Sequence, residues 1–113
     1  MEHNETMKNA IEAAQYGAKV NANAAERTAL SAKKYAEAEQ PWTASQNLDD
    51  AEKFQAIAEV YATVAGDAGT TMMVRGTRTL VEAAKQATTD AKARAIEKAK
   101  TDALQDLLRE ITK

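Results

Sequence analysis

The alternation of apolar and polar residues predicts a protein built from long helices. Residues 4–39 contain no proline and a single glycine, Gly17, so one continuous helix fits them. Within this segment a line of residues is spaced alternately four and three apart, which keeps its members on one helix face. The line consists of Met7, Ile11, Ala14, Ala18, Asn21, Ala25, Thr28, Ala32 and Tyr35. Its small middle residues have two interpretations: a closely packed second helix, with Asn21 fixing the register, or a poorly buried helix.

A proline followed by a tryptophan marks the first predicted turn. Pro41 lacks a backbone N–H and disfavours a helical conformation in the residue before it. We therefore predict a turn over residues 40–46 and a second helix over about 47–65. Three residues near the start of that helix are each able to cap it, namely Thr43, Ser45 and Asn47. The second helix carries the strongest apolar face of the chain, formed by Phe54, Ile57, Ala58, Tyr61, Val64, Ala65 and Ala68.

Two glycines and two threonines interrupt the helical pattern a second time. They fall within residues 66–71 and lower the helix propensity over one turn. We predict a break there, followed by a helical segment over about 72–112; the alternative is a second helix that continues to about Gln86 with a local defect at Gly76. The C-terminal part then regains apolar residues, Ile96, Leu104, Leu107, Leu108 and Ile111, here called the C-terminal stripe. The prediction is an all-α domain over residues 1–113: an antiparallel helical hairpin or a three-helix bundle with long helices.

Composition changes this picture by making the predicted core thin. The 113 residues correspond to one domain, and 44% of them are hydrophobic, but more than half of those are alanine and only 4% of the chain is aromatic. Alanine has the highest helix propensity and loses no side-chain entropy on folding, yet it buries little surface. Long helices with a thin core favour a second copy or a partner. We therefore expect a coiled-coil-like homo-oligomer.

Catalytic and metal-binding chemistry finds little support in the sequence. There is no cysteine, and His3 is the only histidine, so a catalytic triad has no positioned base and a zinc site has too few ligands. The adjacent carboxylates of Asp49 and Asp50 fit the N-terminus of a helix better than a cation site. The two glycines Gly66 and Gly69 lack the spacing and the lysine of a phosphate-binding loop. We predict no enzymatic activity and no cofactor.

The sequence also bears on location. No apolar run approaches the roughly 18 residues of a membrane span, and the first residues lack the charged and apolar regions of a cleavable signal peptide. We expect a soluble cytoplasmic protein that does not bind membranes. Export by a signal-independent route remains an alternative.

Basic residues in the second half of the chain raise a nucleic-acid hypothesis. Arg75, Arg78, Lys85 and Lys92 are candidates for a local basic strip. Acidic residues interleave with them, the isoelectric point is about 5.4, and aromatic residues for base stacking are nearly absent. A solvated helix face is the favoured interpretation, and weak nucleic-acid binding is the alternative.

The position of Trp42 between two predicted long helices carries a family resemblance. A soluble, cysteine-free, acidic chain of about this length with this layout resembles the Trp-x-Gly family of small type VII secretion substrates. The resemblance covers residues 4–86 and implies an antiparallel hairpin that dimerises and is exported without a cleaved signal peptide. The motif departs from the family in part, since Ala44 stands where the family has glycine. The family's secretion signal, a tyrosine followed four residues later by an acid, lies after the second helix; here its only match is Tyr35 and Glu39, in the first.

These observations favour a non-enzymatic module for protein–protein interaction or assembly, such as a small accessory or inhibitor protein. The candidate partner-binding residues are Trp42 and the C-terminal stripe. Each has a structural alternative: Trp42 as a plug that closes the turn, and the stripe as a face packed on Met7 and Ile11. An exported Trp-x-Gly-like hairpin and a weak nucleic-acid binder are the alternative functions.

Overall fold

A computed structural model of the chain describes the backbone of residues 2–113 and the side chains of residues 4–113; His3 therefore lies outside the described side chains. The chain forms three helices, α1 (Glu2–Glu37), α2 (Pro41–Ala65) and α3 (Ala68–Thr112). All three pack against one another, and the described residues contain no strand. The predicted all-α fold is confirmed in its three-helix form. The bundle is a rod of 87 × 17 × 16 Å.

The first turn is shorter than predicted. It occupies residues 38–40, and α2 begins at Pro41 instead of at about residue 47. Proline is favoured at the first position of a helix, where its missing N–H would have no partner anyway. The turn closes through Glu39, whose φ of 58° is left-handed. None of the predicted caps is used: Gln40 occupies the N-cap position without a side-chain bond, and Asn47 Nδ2 donates to the Thr43 carbonyl inside the helix.

The second turn is a two-residue connection, Gly66 and Asp67, instead of a break over residues 66–71. Gly66 has a φ of 74° and donates its N–H to the Ala62 carbonyl, which ends α2. Asp67 then caps α3, because its carboxylate accepts from both the N–H and the hydroxyl of Thr70 at 2.9 Å. The helix continues without interruption past Gly76. The alternative of one helix from residue 47 to about 86 is therefore wrong.

The core is a set of small residues on three heptad seams. In α1 the seam is Ala14, Ala18, Ala22, Ala25, Ala29, Ala32 and Ala36; in α2 it is Ala44, Leu48, Ala51, Gln55, Ala58, Ala62 and Ala65; in α3 it is Thr70, Val74, Thr77, Val81, Ala84, Thr88 and Ala91. Alanine at these positions allows the helix backbones to approach closely. Four of the nine residues in the predicted α1 line are buried in this seam, Ala14, Ala18, Ala25 and Ala32. Asn21 and Thr28 are only half-buried and bond to carbonyls of their own helix, so Asn21 does not fix a register.

The strongest apolar face of α2 is not the core, which corrects the sequence prediction. Ala58 and Ala65 are buried as expected, but Ile57, Tyr61 and Val64 are exposed. The buried seam of α2 therefore lies about one residue position around the helix from the predicted apolar face, on the side of the alanines. The ring of Tyr61 lies on α1 at Gly17, where a Cβ would be 2.9 Å from the ring. Glycine is required there because any side chain would displace the tyrosine.

Helices α1 and α3 run parallel and extend past the bundle at opposite ends. Gln15 of α1 bonds Asp67 beside the start of α3, and Glu39 just after α1 pairs with Arg94 far along α3. Residues 4–13 of α1 are all exposed at one end of the rod, and residues 97–113 are all exposed at the other. The packed bundle therefore lies between two single-helix extensions.

A leucine in the alanine seam tests the close packing. Ala58 is completely buried, whereas Ala56 on the same helix is exposed. We expect Ala58→Leu to lower the free energy of unfolding by about 1–3 kcal/mol, because the larger side chain separates the helices. Ala56→Leu should change it by less than about 0.5 kcal/mol. Equal denaturant midpoints for the two variants would contradict close packing at this seam.

The cap of α3 predicts an acid-dependent contribution to stability. The backbone N–H of Thr70, then the Gln15 amide and the Thr70 hydroxyl, lower the pKa of Asp67 below its ordinary value of 3.8. A lowered folded-state pKa means that the carboxylate stabilises the fold above the unfolded value and loses that effect as the pH falls through the folded value. Thermal melts should therefore place Asp67→Asn below the wild type at pH 7, with the difference shrinking below about pH 4. A difference that is constant down to pH 2 would contradict this role, and Asp49→Asn on the exposed side of α2 is the control.

Candidate functional site

The C-terminal stripe is fully displayed on the extension of α3. Ile96, Leu104, Leu107, Leu108 and Ile111 are between 50% and 70% exposed. They lie beyond the end of the hairpin, which turns at residues 38–40 beside Arg94. The described parts of α1 and α2 do not extend along α3 as far as these residues. The structure therefore brings the predicted stripe residues together on one helix and leaves them without a partner in the described chain.

The stripe does not continue the seam by which α3 packs on the hairpin. Past Ala91 the same alternation of three and four residues gives Ala95, Lys98, Asp102, Gln105, Arg109 and Thr112. The packing face of α3 thus becomes polar where the hairpin ends. At about 100° per residue, Leu107 and Ile111 point to the opposite side of the helix from that face. The extension therefore carries its own apolar face, separate from the bundle core.

The predicted alternative for the stripe, packing on the first half of α1, is wrong. Met7 and Ile11 are 58% and 39% exposed. Because α1 and α3 are parallel, these residues lie at the opposite end of the rod from the stripe. Fold-back would require a turn within α3, and the helix runs unbroken from Ala68 to Thr112.

Trp42 is exposed and does not plug the turn, so that alternative is also wrong. It is the second residue of α2, with 63% of its surface accessible. The Lys92 ammonium lies 5.9 Å from the centre of the indole ring, within the range of a cation–π interaction, and donates to Ser45 Oγ at 2.9 Å. Trp42 thus lies at the same end of the bundle as the stripe, at the base of the extension.

A further apolar surface was missed by the sequence prediction. The face of the hairpin turned away from α3, here called the outer face, displays Tyr16, Val20, Ile57, Val60, Tyr61 and Val64. Glu59 reaches across to Arg78 of α3, whereas Tyr61 lies on the other side of the α2 seam, about 200° away around the helix. One signal was available: Ala44, Ala51, Ala58 and Ala65 recur every seven residues in α2 and mark a seam of their own.

The four nucleic-acid candidates lie along one edge of α3 and are bordered there by acidic residues of α2. Arg78 pairs with Glu59, and Arg75 lines a surface hollow together with these two residues. Lys92 is bonded to Ser45, and Lys85 lies between Arg78 and Lys92, seven residues from each. Since the α2 edge also carries Glu52, seven residues before Glu59, the positive charge of this edge is partly neutralised.

The side chains of residues 4–113 contain no group of three or more histidine, cysteine, aspartate or glutamate residues arranged to hold a metal ion. No helix in this part of the chain has the length and apolar character needed to cross a membrane.

Comparison of the chain with protein families, with characterised proteins and with solved structures gives no match.

The exposure of Trp42 has a direct optical consequence. We expect its fluorescence maximum to lie near that of hydrated indole, and acrylamide to quench it efficiently, because the ring is open to water. Trp42→Ala should change the free energy of unfolding by less than about 0.5 kcal/mol, where a buried ring would cost about 3–5 kcal/mol. A blue-shifted, quencher-protected emission that persists on dilution would contradict this placement.

Proposed function

We propose that the protein is a non-enzymatic module for protein–protein interaction or assembly, and that the C-terminal extension of α3 is its main docking element. The observation that carries the proposal is the apolar stripe, which lies on a helix that no other described part of the chain covers. Exposed apolar surfaces of this kind mark binding sites more often than they serve folding. The stripe contributes nothing to the bundle core, so folding alone gives no reason for it.

The charges of the extension favour a protein partner. Residues 96–113 contain four acidic side chains, Glu97, Asp102, Asp106 and Glu110, and four basic ones, Lys98, Lys100, Arg109 and Lys113. Balanced charges provide no net attraction for nucleic-acid phosphates or for anionic lipids. A partner helix with its own apolar face matches both the stripe and the mixed polar side of the extension.

Self-association is part of the proposal. The alanine seams bury little apolar surface per residue, and the rod leaves three apolar surfaces open: the stripe, the outer face, and Met7 with Ile11. A second copy would bury such surface and raise the stability by mass action. Trp42, at the base of the extension, supplies an aromatic anchor of the kind enriched in interface hot spots.

An exported hairpin of the Trp-x-Gly type is the second candidate. Its support is the antiparallel α1–α2 hairpin with Trp42 exposed beside the turn. A secretion assay in the native host tests it: the chain should appear in the culture medium, and Tyr35→Ala with Glu39→Ala should keep it inside the cell. Release of that double variant at the wild-type level would remove the proposed signal.

Two double substitutions on different sides of the extension test the main proposal. Leu107→Asp with Leu108→Asp places two negative charges on the stripe, whereas Lys98→Gln with Arg109→Gln makes the same change in net charge on the polar side, where no stripe residue lies three or four positions away. Since all four side chains are exposed, neither double variant should alter the melting temperature of the dilute protein. The stripe variant alone should lose self-association in sedimentation velocity and lose capture of partner proteins from the native host.

A stripe variant that melts early would place these leucines in a core, and one that retains both self-association and capture would exclude the stripe as an interface. Loss of binding in the control variant as well would attribute the effect to charge alone.

A further inference from the structure

Helix α3 contains two overlapping heptad seams, and only one of them is buried. The buried seam runs from Thr70 to Ala91. The second seam lies one residue earlier at every step and consists of Gly69, Met73, Gly76, Leu80, Ala83, Ala87 and Asp90. Met73, Leu80 and Ala87 are half-buried against the edge of the core. A rotation of α3 about its own axis by about 100° would exchange the two seams.

Over residues 69–88 apolar burial alone does not favour the seam that is used. The buried seam has threonine at three of its seven positions, whereas the second seam has no threonine, includes the larger side chains Met73 and Leu80, and carries a charged residue, Asp90, only at its last position. Its glycines, Gly69 and Gly76, are open on their Cβ side apart from one ordinary contact between Gly69 and Asp67, so they permit close approach to another helix. Polar contacts therefore contribute to holding α3 in its observed setting, and only one of them lies within the buried seams.

A buried polar layer supplies that interaction. Gln55 is only 5% exposed in a seam that is otherwise alanine and leucine. Its Nε2 donates to the Val74 carbonyl at 2.9 Å and to Glu59 at 3.2 Å, and its Oε1 accepts from the Thr77 hydroxyl at 2.7 Å. The polar groups of Gln55 thus have partners, as buried polar groups require.

All three seam threonines have a local hydrogen-bond partner, and Thr77 alone also reaches another helix. Its hydroxyl lies 2.8 Å from the Val74 carbonyl oxygen of its own helix and 2.7 Å from Gln55 Oε1. Thr88 donates to the Ala84 carbonyl in its own helix, and Thr70 bonds the cap residue Asp67. Rotation of α3 by one position would carry the Thr77 hydroxyl away from Gln55 and place Gly76 opposite it. Gly76 has no side chain with which to satisfy the Gln55 carbonyl oxygen.

We infer that the Gln55–Thr77 pair sets the rotation of α3 about its own axis by selecting one of two competing seams. A single polar layer in an apolar helix interface is an established way to fix one packing arrangement among several. Gln55 acts here as a positioning residue. Because α3 is one helix through to Thr112, the same pair fixes the direction in which the C-terminal stripe faces. The choice between the two seams of α3 does not depend on what binds to the stripe.

Adjacent thiol probes on α3 distinguish the two settings. The chain contains no cysteine, so Ala83→Cys and Ala84→Cys each introduce a unique, nearly isosteric probe. Ala83 is exposed and Ala84 is buried; a maleimide should therefore react fast at position 83 and slowly at 84 in the otherwise native chain. In the Gln55→Leu background we expect the ratio of the two rates to fall several-fold, with helicity retained by circular dichroism. Gln46→Leu, at an exposed position of α2, should leave the ratio unchanged.

Two variants of Thr77 test the same hydrogen bond without a change at Gln55, in case Gln55→Leu does not fold. Thr77→Ala removes the hydroxyl and should lower the ratio, whereas Thr77→Ser retains the hydroxyl and should preserve it. An unchanged ratio in both Gln55→Leu and Thr77→Ala would overturn the inference and assign the setting to Val74, Val81 and the preceding turn. Loss of helicity in both would make the layer a requirement for stability and overturn it as well.

Discussion

The close approach of three helices through alanine is the constraint on which the rest of this structure depends. A seam of single methyl groups has no room for large side chains, so Ile57, Val60 and Val64 lie outside it and Tyr61 fits only because residue 17 is glycine. Each buried alanine also contributes little apolar area. Specificity therefore comes from polar contacts between helices: Gln15 with Asp67, Gln55 with Thr77, Lys92 with Ser45, and Arg94 with Glu39. In this bundle the apolar seams allow the helices to pack closely, and the polar contacts determine how the helices are arranged.

The same constraint explains the shape of the molecule. Helix α2 is shorter than its neighbours, and two tight turns hold it level with the middle of the rod. The parallel helices α1 and α3 consequently extend beyond it in opposite directions. Among the described residues, the apolar side chains of both extensions are exposed. Under the proposed function, recognition would use helix ends and outer faces.

The sequence was sufficient for the class of fold and for one candidate surface, and insufficient for the seams. Helix periodicity, Pro41 and the two glycines at 66 and 69 located three helices and both turns to within several residues. The prediction failed where large apolar residues were assumed to be buried, because it ranked Phe54, Ile57 and Tyr61 above the alanines that share their helix. Amphipathic periodicity identifies a face but not its burial, and the partner helices decide which face is covered. Trp42 was misplaced for a related reason: Pro41 starts α2, so the indole belongs to the first turn of a helix and not to the loop before it.

The C-terminal stripe could be predicted from spacing, but its separation from the core could not. That separation depends on where the hairpin ends relative to α3, which the length of α2 determines, because α2 runs back alongside α3 from the second turn. Lengthening α1 and α2 together by two or three turns would bring the hairpin alongside Lys98, Asp102 and Gln105 and force these polar residues into a seam. The polar continuation of the α3 seam is therefore consistent with the hairpin ending where it does. It also means that a partner approaching the stripe meets an extension whose back is hydrated and whose base is held by Arg94 and Lys92. Since the extension shares a continuous helix with the bundle, its orientation is set inside the core, at the one layer where α2 and α3 exchange buried side-chain hydrogen bonds.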